Sequence, residues 1–291
     1  MTVLIVSSTE DPASTHIKHC LLEQTPWEEQ GIFYDTPVYR HTSMKNLVMV
    51  TIPDKKIRHE HIDHEVHEQL HINPKIAIFL SRHRSKMGEP TLTVHPIGNF
   101  GDAEFGGQPK TIVPAAPRMM THLLRLIKKN LQTTDLAFQV CYEVTHHGPF
   151  LRIPTLFAEV GSTEVQWHQK EPAMIIAISL LELLRTYQYE EECPRDIPIL
   201  VGLGGGHYAP RFTDIVFQRN AAFGHMIPSY HLDTGTIDWD ILHEAMEATP
   251  DLRGVYLHKK ALKKSQVTFY KQLCSEHNVP VVSSEELPML S

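Results

Sequence analysis

Short β-branched apolar runs alternate with longer segments of helical periodicity along this 291-residue chain. That alternation predicts an α/β fold, because parallel strands buried on both faces read as continuous apolar runs and their crossovers are helices. One pair of runs, 136–144 and 155–160, is separated by only a short loop, which predicts an antiparallel pair within the sheet. No Gly/Ser-rich linker, internal repeat or low-complexity run divides the chain. The expectation is therefore one domain, residues 1–291: three layers, α/β/α, around a mixed, mostly parallel sheet.

Residues 3–8, "VLIVSS", read as the first buried strand, and "DPAS" at 11–14 as the entry to a helix. Asp caps such an entry, and Pro is tolerated in a first helical turn. Strands follow at 46–52 and 75–80, the second running into "SRHRSK". Between them, "HEHIDHEVHEQLH" at 59–71 sets His64 against His67, and His67 against His71, at helical spacing. A metal clip fits that spacing, but Glu60, Asp63, Glu65 and Glu68 interleave with the imidazoles, while Ile62, Val66 and Leu70 form an apolar stripe. The pattern favours an amphipathic helix with a solvated polar face. Residues 114–131 carry Met119, Leu123, Leu126, Ile127 and Leu131 near helical spacing, with Pro117 close to the start. After the two strands of the antiparallel pair, "PAMIIAISLLELL" at 172–184 is apolar almost all round, as in a helix packed under a sheet. The tail repeats the theme: strand 197–201, helix 239–248, strand 254–257, helix 263–278, strand 279–282.

Composition narrows the function classes. Hydrophobic residues make up 42% and charged residues 21%, the balance of an ordinary globular protein. No apolar run approaches the ~20 residues a membrane helix needs. The opening "MTVLIVSSTEDPAS" lacks a basic lead and a small-residue cleavage site, so it is expected to be a strand of a cytoplasmic protein and not an export signal. Cys20, Cys141, Cys193 and Cys274 form no C-x-x-C pair and are expected to be reduced and mostly structural. A net charge of −7 argues against bulk nucleic-acid affinity, yet allows a local basic face. "SRHRSK" at 81–86 and "HKKALKK" at 258–264 are the two candidates. Twenty histidines raise the prospect of metal or acid–base chemistry.

The stretch "GLGGGHYAPRF" at 202–212 follows a buried strand and leads to Pro210, a first-turn helix residue. Its glycines fit a strand-to-helix turn that brings something close to the backbone and exposes amide N–H groups to an anion. It is not a dinucleotide fingerprint, since His207 stands where Gly or Ala belongs, and no Gly-Lys-Ser/Thr phosphate loop is present. His83, His95, Glu143, His146, His147, Glu159 and His207 all fall near predicted strand ends, where open α/β sheets bind ligands. Imidazoles and carboxylates together suit zinc with a position left open for water. His95 is the weakest of the set, equally well a half-buried structural histidine. There is no G-x-S-x-G, and Cys141 lies within an apolar strand, so a serine or cysteine nucleophile is disfavoured.

Taken together, "SSTEDPAS", "FLSRH", "HPIGNF", "THHGP", "AEVGS" and "GLGGGHYAPRF" resemble the archaeal and plant type of D-aminoacyl-tRNA deacylase. The resemblance covers nearly the whole chain, and "THHGP" and "GGGHYAPRF" are its most specific parts. It implies a fold similar to phosphorylases and peptidyl-tRNA hydrolases. It further implies hydrolysis of the ester joining a D-amino acid to tRNA, a chiral proofreading step in translation, with two zinc ions per subunit. The implied partner is the acceptor end of D-aminoacyl-tRNA, with no membrane and no obligate protein partner. Zinc would polarise the ester carbonyl and lower the pKa of a bound water toward ~7. Within that implied site, Glu143, His147 and His207 are the catalytic candidates, and His83, His146 and Glu159 the metal ligands. Glu143 and Glu159 each fit a general base or a ligand, and the sequence does not decide between them. Gly204, Gly205, Gly206, Arg211, Lys259 and Lys260 are the expected substrate contacts. Another hydrolase of the same fold (a peptidyl-tRNA hydrolase or zinc amidohydrolase) and a non-enzymatic RNA- or nucleotide-binding protein are the alternatives.

Overall fold

The computed structural model describes residues 1–188 and 197–290; Cys193 lies outside them. The first strands are β1 (Val3–Ser8), β2 (Trp27–Phe33), β3 (Thr36–His41), β4 (Leu47–Ile52) and β5 (Ile76–Arg82). They are followed by β6 (Thr91–His95), β7 (Gly98–Asn99), β8 (Thr111–Ile112), β9 (Gln139–Tyr142) and β10 (Thr155–Gly161). The last four are β11 (Ile199–Leu203), β12 (Ala222–Ile227), β13 (Leu252–Leu257) and β14 (Val281–Val282). The helices are α1 (Pro12–Gln24), α2 (Ile62–Leu70), α3 (Pro117–Leu131), α4 (Glu164–Trp167) and α5 (Lys170–Gln188). After the second stretch begins come α6 (Pro210–Gln218), α7 (Ser229–Asp233), α8 (Trp239–Glu247) and α9 (Lys264–Glu276).

The architecture is α/β, with a mixed, mostly parallel arrangement split between two main sheets. The larger has eight strands in the order β2-β3-β4-β1-β5-β10-β6-β9, the smaller four in the order β12-β11-β13-β14. All pairings of the smaller sheet are parallel. In the larger, β1 runs parallel to β4 and β5, and β5 to β10. One expected pairing is corrected here. The runs 136–144 and 155–160 do form β9 and β10, but β6 lies between them, antiparallel to β10 and parallel to β9. The intervening chain is not a tight hairpin: its backbone is tied to other elements, with Gly98 N donating to His147 O and His61 N to Phe150 O.

One apolar core joins both sheets. Ile5, Ile78 and Leu156 of the larger sheet pack in the same cluster as Leu200, Phe223 and Tyr256 of the smaller. Helix α3 supplies Met119, Met120, Leu123, Leu124 and Ile127 to it, all buried. Each such side chain contributes roughly 1.5–3 kcal/mol by leaving water. Helix α1 is entered as its sequence predicts: the Asp11 carboxylate accepts from Ser14 N, with Pro12 in the first turn. Asp11 does more than cap. Its other oxygen accepts from Lys56 Nζ at 2.6 Å and from Arg82 N at 2.9 Å, fixing the end of β5 just before His83. Among the described residues no helix is long and apolar enough to cross a membrane, and Cys20, Cys141 and Cys274 are free and buried.

Candidate active site

Strand alternation puts Phe157 and Glu159 of β10 on one face, with β5 and β6 on either side. His83 follows β5, and its carbonyl accepts from the Trp167 indole at 2.8 Å. His95 ends β6. The segment 143–147 is strung between the two sheets: Glu143 N donates to Val94 O, Val144 N to His207 O and Thr145 N to Met226 O. The turn after β11 then brings His207 over the same place. Seven residues far apart in sequence, His83, His95, Glu143, His146, His147, Glu159 and His207, thus meet in one cluster.

Glu143 is its centre. This carboxylate has no solvent exposure and takes His207 Nε2 at 2.8 Å, His83 Nδ1 at 3.1 Å and His146 Nε2 at 3.5 Å. Glu159 lies 3.6 Å from His83 Nδ1 and 3.7 Å from His95 Nε2. Burial alone raises a carboxyl pKa, but here the imidazoles outweigh it, holding Glu143 well below the usual carboxylate range and Glu159 at about 2. Burial likewise opposes charge on His83, yet Glu143 and Glu159 raise it to about 11, and Glu159 raises His95. His146 and His147 go the other way. Burial and the neighbouring His95 push His146 well below its ordinary value and His147 to about 4.

The donor set fits a divalent cation. In His95, His146 and His147, Nδ1 faces a backbone carbonyl (Pro96 at 3.0 Å, Val144 at 2.8 Å and Gly148 at 2.6 Å). A carbonyl only accepts, so Nδ1 carries a proton in all three. Nε2 of neutral His146 and His147 keeps its lone pair, the usual arrangement of a metal-ligating histidine, and His95 offers one once it gives up the proton that Glu159 favours. Among the described residues, three groups have ligand atoms within 4.8 Å of one another: His95 with His146 and His147, His83 with Glu143 and His207, and His95 with Glu143 and Glu159. Two buried atoms of the cluster, His95 Nε2 and Glu143 Oε1, have no well-aligned hydrogen bond, only ion-pair contacts to Glu159 at 3.7 Å and to His83 at 3.1 Å. A cation among them would displace the protons that now balance two buried carboxylates.

The cluster lines a cleft of about 1070 Å³ shared by His83, His146, His147, Glu159 and His207 with Lys55, Arg82, Arg84, Lys86, Phe105 and Trp167. Arg82 and Arg84 lie over the Trp167 ring at 5.0 and 5.8 Å. Of the expected substrate contacts, Arg211, Lys259 and Lys260 line a different cavity, of about 890 Å³, with His258 and Ser284. Arg211 is already engaged there, donating to Tyr256 OH at 3.0 Å and Ser284 Oγ at 3.1 Å. Gly204 and Gly205 have φ of +101° and +104°, where L side chains are strained. Their amides are not open to an anion, since Gly204 N donates to Ile227 O and Gly205 N to Ser229 Oγ. What approaches their backbone is the chain itself: a Cβ on Gly205 would lie 3.3 Å from His258 Nδ1. A Cβ on Gly206 would meet nothing within 4 Å.

Two participants carry little sequence signal. His95, weighed as a structural histidine, is fully buried with its ring 4.3 Å from that of His146. Tyr208, part of the "GGGHYAPRF" motif but not singled out, places its hydroxyl 3.0 Å from His83 Nε2.

The profile of a family described as D-aminoacyl-tRNA deacylase matches residues 70–282. A protein named D-aminoacyl-tRNA deacylase from Pyrococcus abyssi is 34% identical over 276 residues, covering 94% of this chain and 96% of its own. A protein of the same name from Thermococcus kodakarensis is 34% identical over 263 residues, covering 89% and 92%. A crystal structure described as a conserved protein of unknown function is similar with a TM-score of 0.88 at 28% identity, over 99% of both chains.

Proposed function

The chain belongs to the D-aminoacyl-tRNA deacylase family, and from that membership we propose that it hydrolyses the ester of D-aminoacyl-tRNA with the help of bound zinc. The observation that carries the mechanism is the Glu143–His207 contact at 2.8 Å, buried at one end and open to the cleft at the other. An ionised carboxylate only accepts, so His207 Nε2 carries the proton and Nδ1 of the neutral ring is a base. Water adds through its oxygen to the ester carbonyl carbon while His207 Nδ1 takes the proton. That proton then passes to the departing ribose oxygen, leaving free D-amino acid and tRNA.

His95, His146 and His147 would hold one zinc ion through their Nε2 atoms, which makes His147 a ligand in this reading. A second ion, which the family resemblance implies, would sit against Glu143 and Glu159, where His83 now balances the charge. Zinc there supplies Lewis-acid polarisation of the ester and water acidic enough to ionise near neutral pH. The basic rim of Lys55, Arg82, Arg84 and Lys86 holds acceptor-end phosphates, a contact that positions without reading sequence. Arg211, Lys259 and Lys260, beyond Gly204–Gly206, meet RNA backbone farther from the ester. The site of action would be the cytoplasm.

The test is hydrolysis of D-aminoacyl-tRNA, L-aminoacyl-tRNA and peptidyl-tRNA by protein purified without a histidine tag, with zinc counted in the same preparation. Rapid release from the D-substrate alone, abolished by a chelator and restored by zinc, is expected. Peptidyl-tRNA as the preferred substrate, or full activity without metal, would overturn the reading.

A further inference from the structure

Phe105 stands at the cleft with its side chain in solvent, 62% exposed, while its backbone is held unusually firmly. Its carbonyl accepts from Gly148 N at 3.4 Å, next to His147. On the following residues, Gly106 O accepts from Asn99 Nδ2 at 2.9 Å, and Gly107 N donates to Glu60 Oε1 at 2.8 Å. The other oxygen of Glu60 accepts from Phe150 N at 2.6 Å, so one carboxylate clamps the Phe105 loop to the chain that follows His146 and His147. Gly106 presses against Ile57 so closely that a Cβ would fall 1.5 Å from the Ile57 carbonyl oxygen, and its φ is +85°. The loop therefore presents the phenyl ring from a fixed position.

Cations outnumber acids along the rest of the lip, where Glu10 and Glu164 are the exposed carboxylates. Lys55, Arg84 and Lys86, all exposed, line the same cleft as Phe105 and the histidine cluster. An aromatic face beside a cationic groove is how single-stranded nucleic acid is gripped without sequence readout, because every base offers a π-face and every link a phosphate. Resting on the function proposed above for this same cleft, we propose that Phe105 is the stacking platform for the terminal base of the RNA acceptor end. Lys55, Arg84 and Lys86 meet its phosphates, and Glu60 acts as the positioning residue that holds the platform over the cluster.

The experiment uses the full chain and a minihelix RNA whose 3′-terminal base is 2-aminopurine, a fluorophore quenched by stacking. Binding to the unaltered protein should quench it. Phe105→Ala should abolish most of the quench and weaken binding about tenfold to a hundredfold, the range for loss of one base–aromatic stack. Phe105→Tyr, which keeps the ring, should restore both, and circular dichroism checks that each variant is folded. A Phe105→Ala protein that quenches as the parent does, or a parent that binds without quenching, overturns the platform. The measurement needs no turnover. A parent protein that quenches the probe but does not deacylate would sink the proposed function alone, and a parent that deacylates without quenching would sink only the platform.

Discussion

Glu143 is fully buried, and of the three imidazoles it meets, His207 is the most exposed at 36%, against 24% for His146 and 6% for His83. Exposure separates a group that can exchange a proton with a reacting molecule from groups that hold charge or metal in place. His207→Ala should therefore keep the zinc content of the parent and lose about 10²–10⁴-fold in kcat, the usual worth of a positioned proton carrier. His146→Ala should lose zinc as well as activity, because it removes an Nε2 donor. Zinc content, circular dichroism and deacylation measured on the same preparations check both; a zinc-depleted His207→Ala would make that residue a ligand and not the base. Much of this cluster is legible in the sequence, since His83, Glu143, His146, His147, Glu159 and His207 are polar letters at or just after apolar runs. His95 is equally placed, but its standing depends on Glu159, 3.7 Å away on a neighbouring strand. No local pattern reports a partner 64 residues distant in sequence.

At the scale of elements, the histidine-rich segment 59–71 divides its residues as the amphipathic reading expects. Ile62 and Val66 are buried in α2, and His64 is 72% exposed. His59, ahead of the helix, is the exception, buried between Asp54 at 2.8 Å and Glu65 at 2.9 Å, and the segment's acids carry structure too. Glu60 clamps Gly107 and Phe150, and Asp63 Oδ2 accepts from Arg152 N at 3.0 Å. Replacing His61, His64 and His67 together with Gln should leave zinc content and deacylation near the parent's. Glu60→Ala should instead strand two backbone donors and lower stability by about 1–3 kcal/mol, read as a lowered Tm and checked by denaturant unfolding. Zinc lost from the triple variant would show that the helix binds metal after all. Element legibility follows burial. Strands β1, β4 and β5, buried nearly throughout, announce themselves as apolar runs. The β2–β3 hairpin does not, because Glu28 to Ile32 are exposed and carry no period-2 contrast.

On the scale of the whole molecule, the two sheets share a core through α3, and we propose that residues 1–291 behave as one cooperative domain. The seam beside the active site is polar and buried. The hydroxyl of Thr145 accepts from Met226 N at 3.0 Å and lies 3.1 Å from His225 Nδ1. His225, on β12, is fully buried, and burial pushes its pKa down to about 3. A histidine free in the unfolded chain titrates near 6.5, so between that pH and about 3 the unfolded state holds a proton that the folded state refuses. Stability from this group is complete above pH 6.5 and drains away as pH falls toward 3, by up to about 1.4 kcal/mol per pH unit. His225→Gln should flatten that slope by close to one proton while lowering stability at pH 7 through poorer packing. The check is denaturant unfolding from pH 7 to pH 4, followed separately through Trp167, near the larger sheet, and Trp239, on the helix beside the smaller. If the seam binds the sheets into one unit, the two tryptophans should report the same midpoint at every pH, and both midpoints should move together in the variant. Separate midpoints would mean two domains meeting at a surface, with a cluster that draws Glu159 from one and His207 from the other assembled only by their docking.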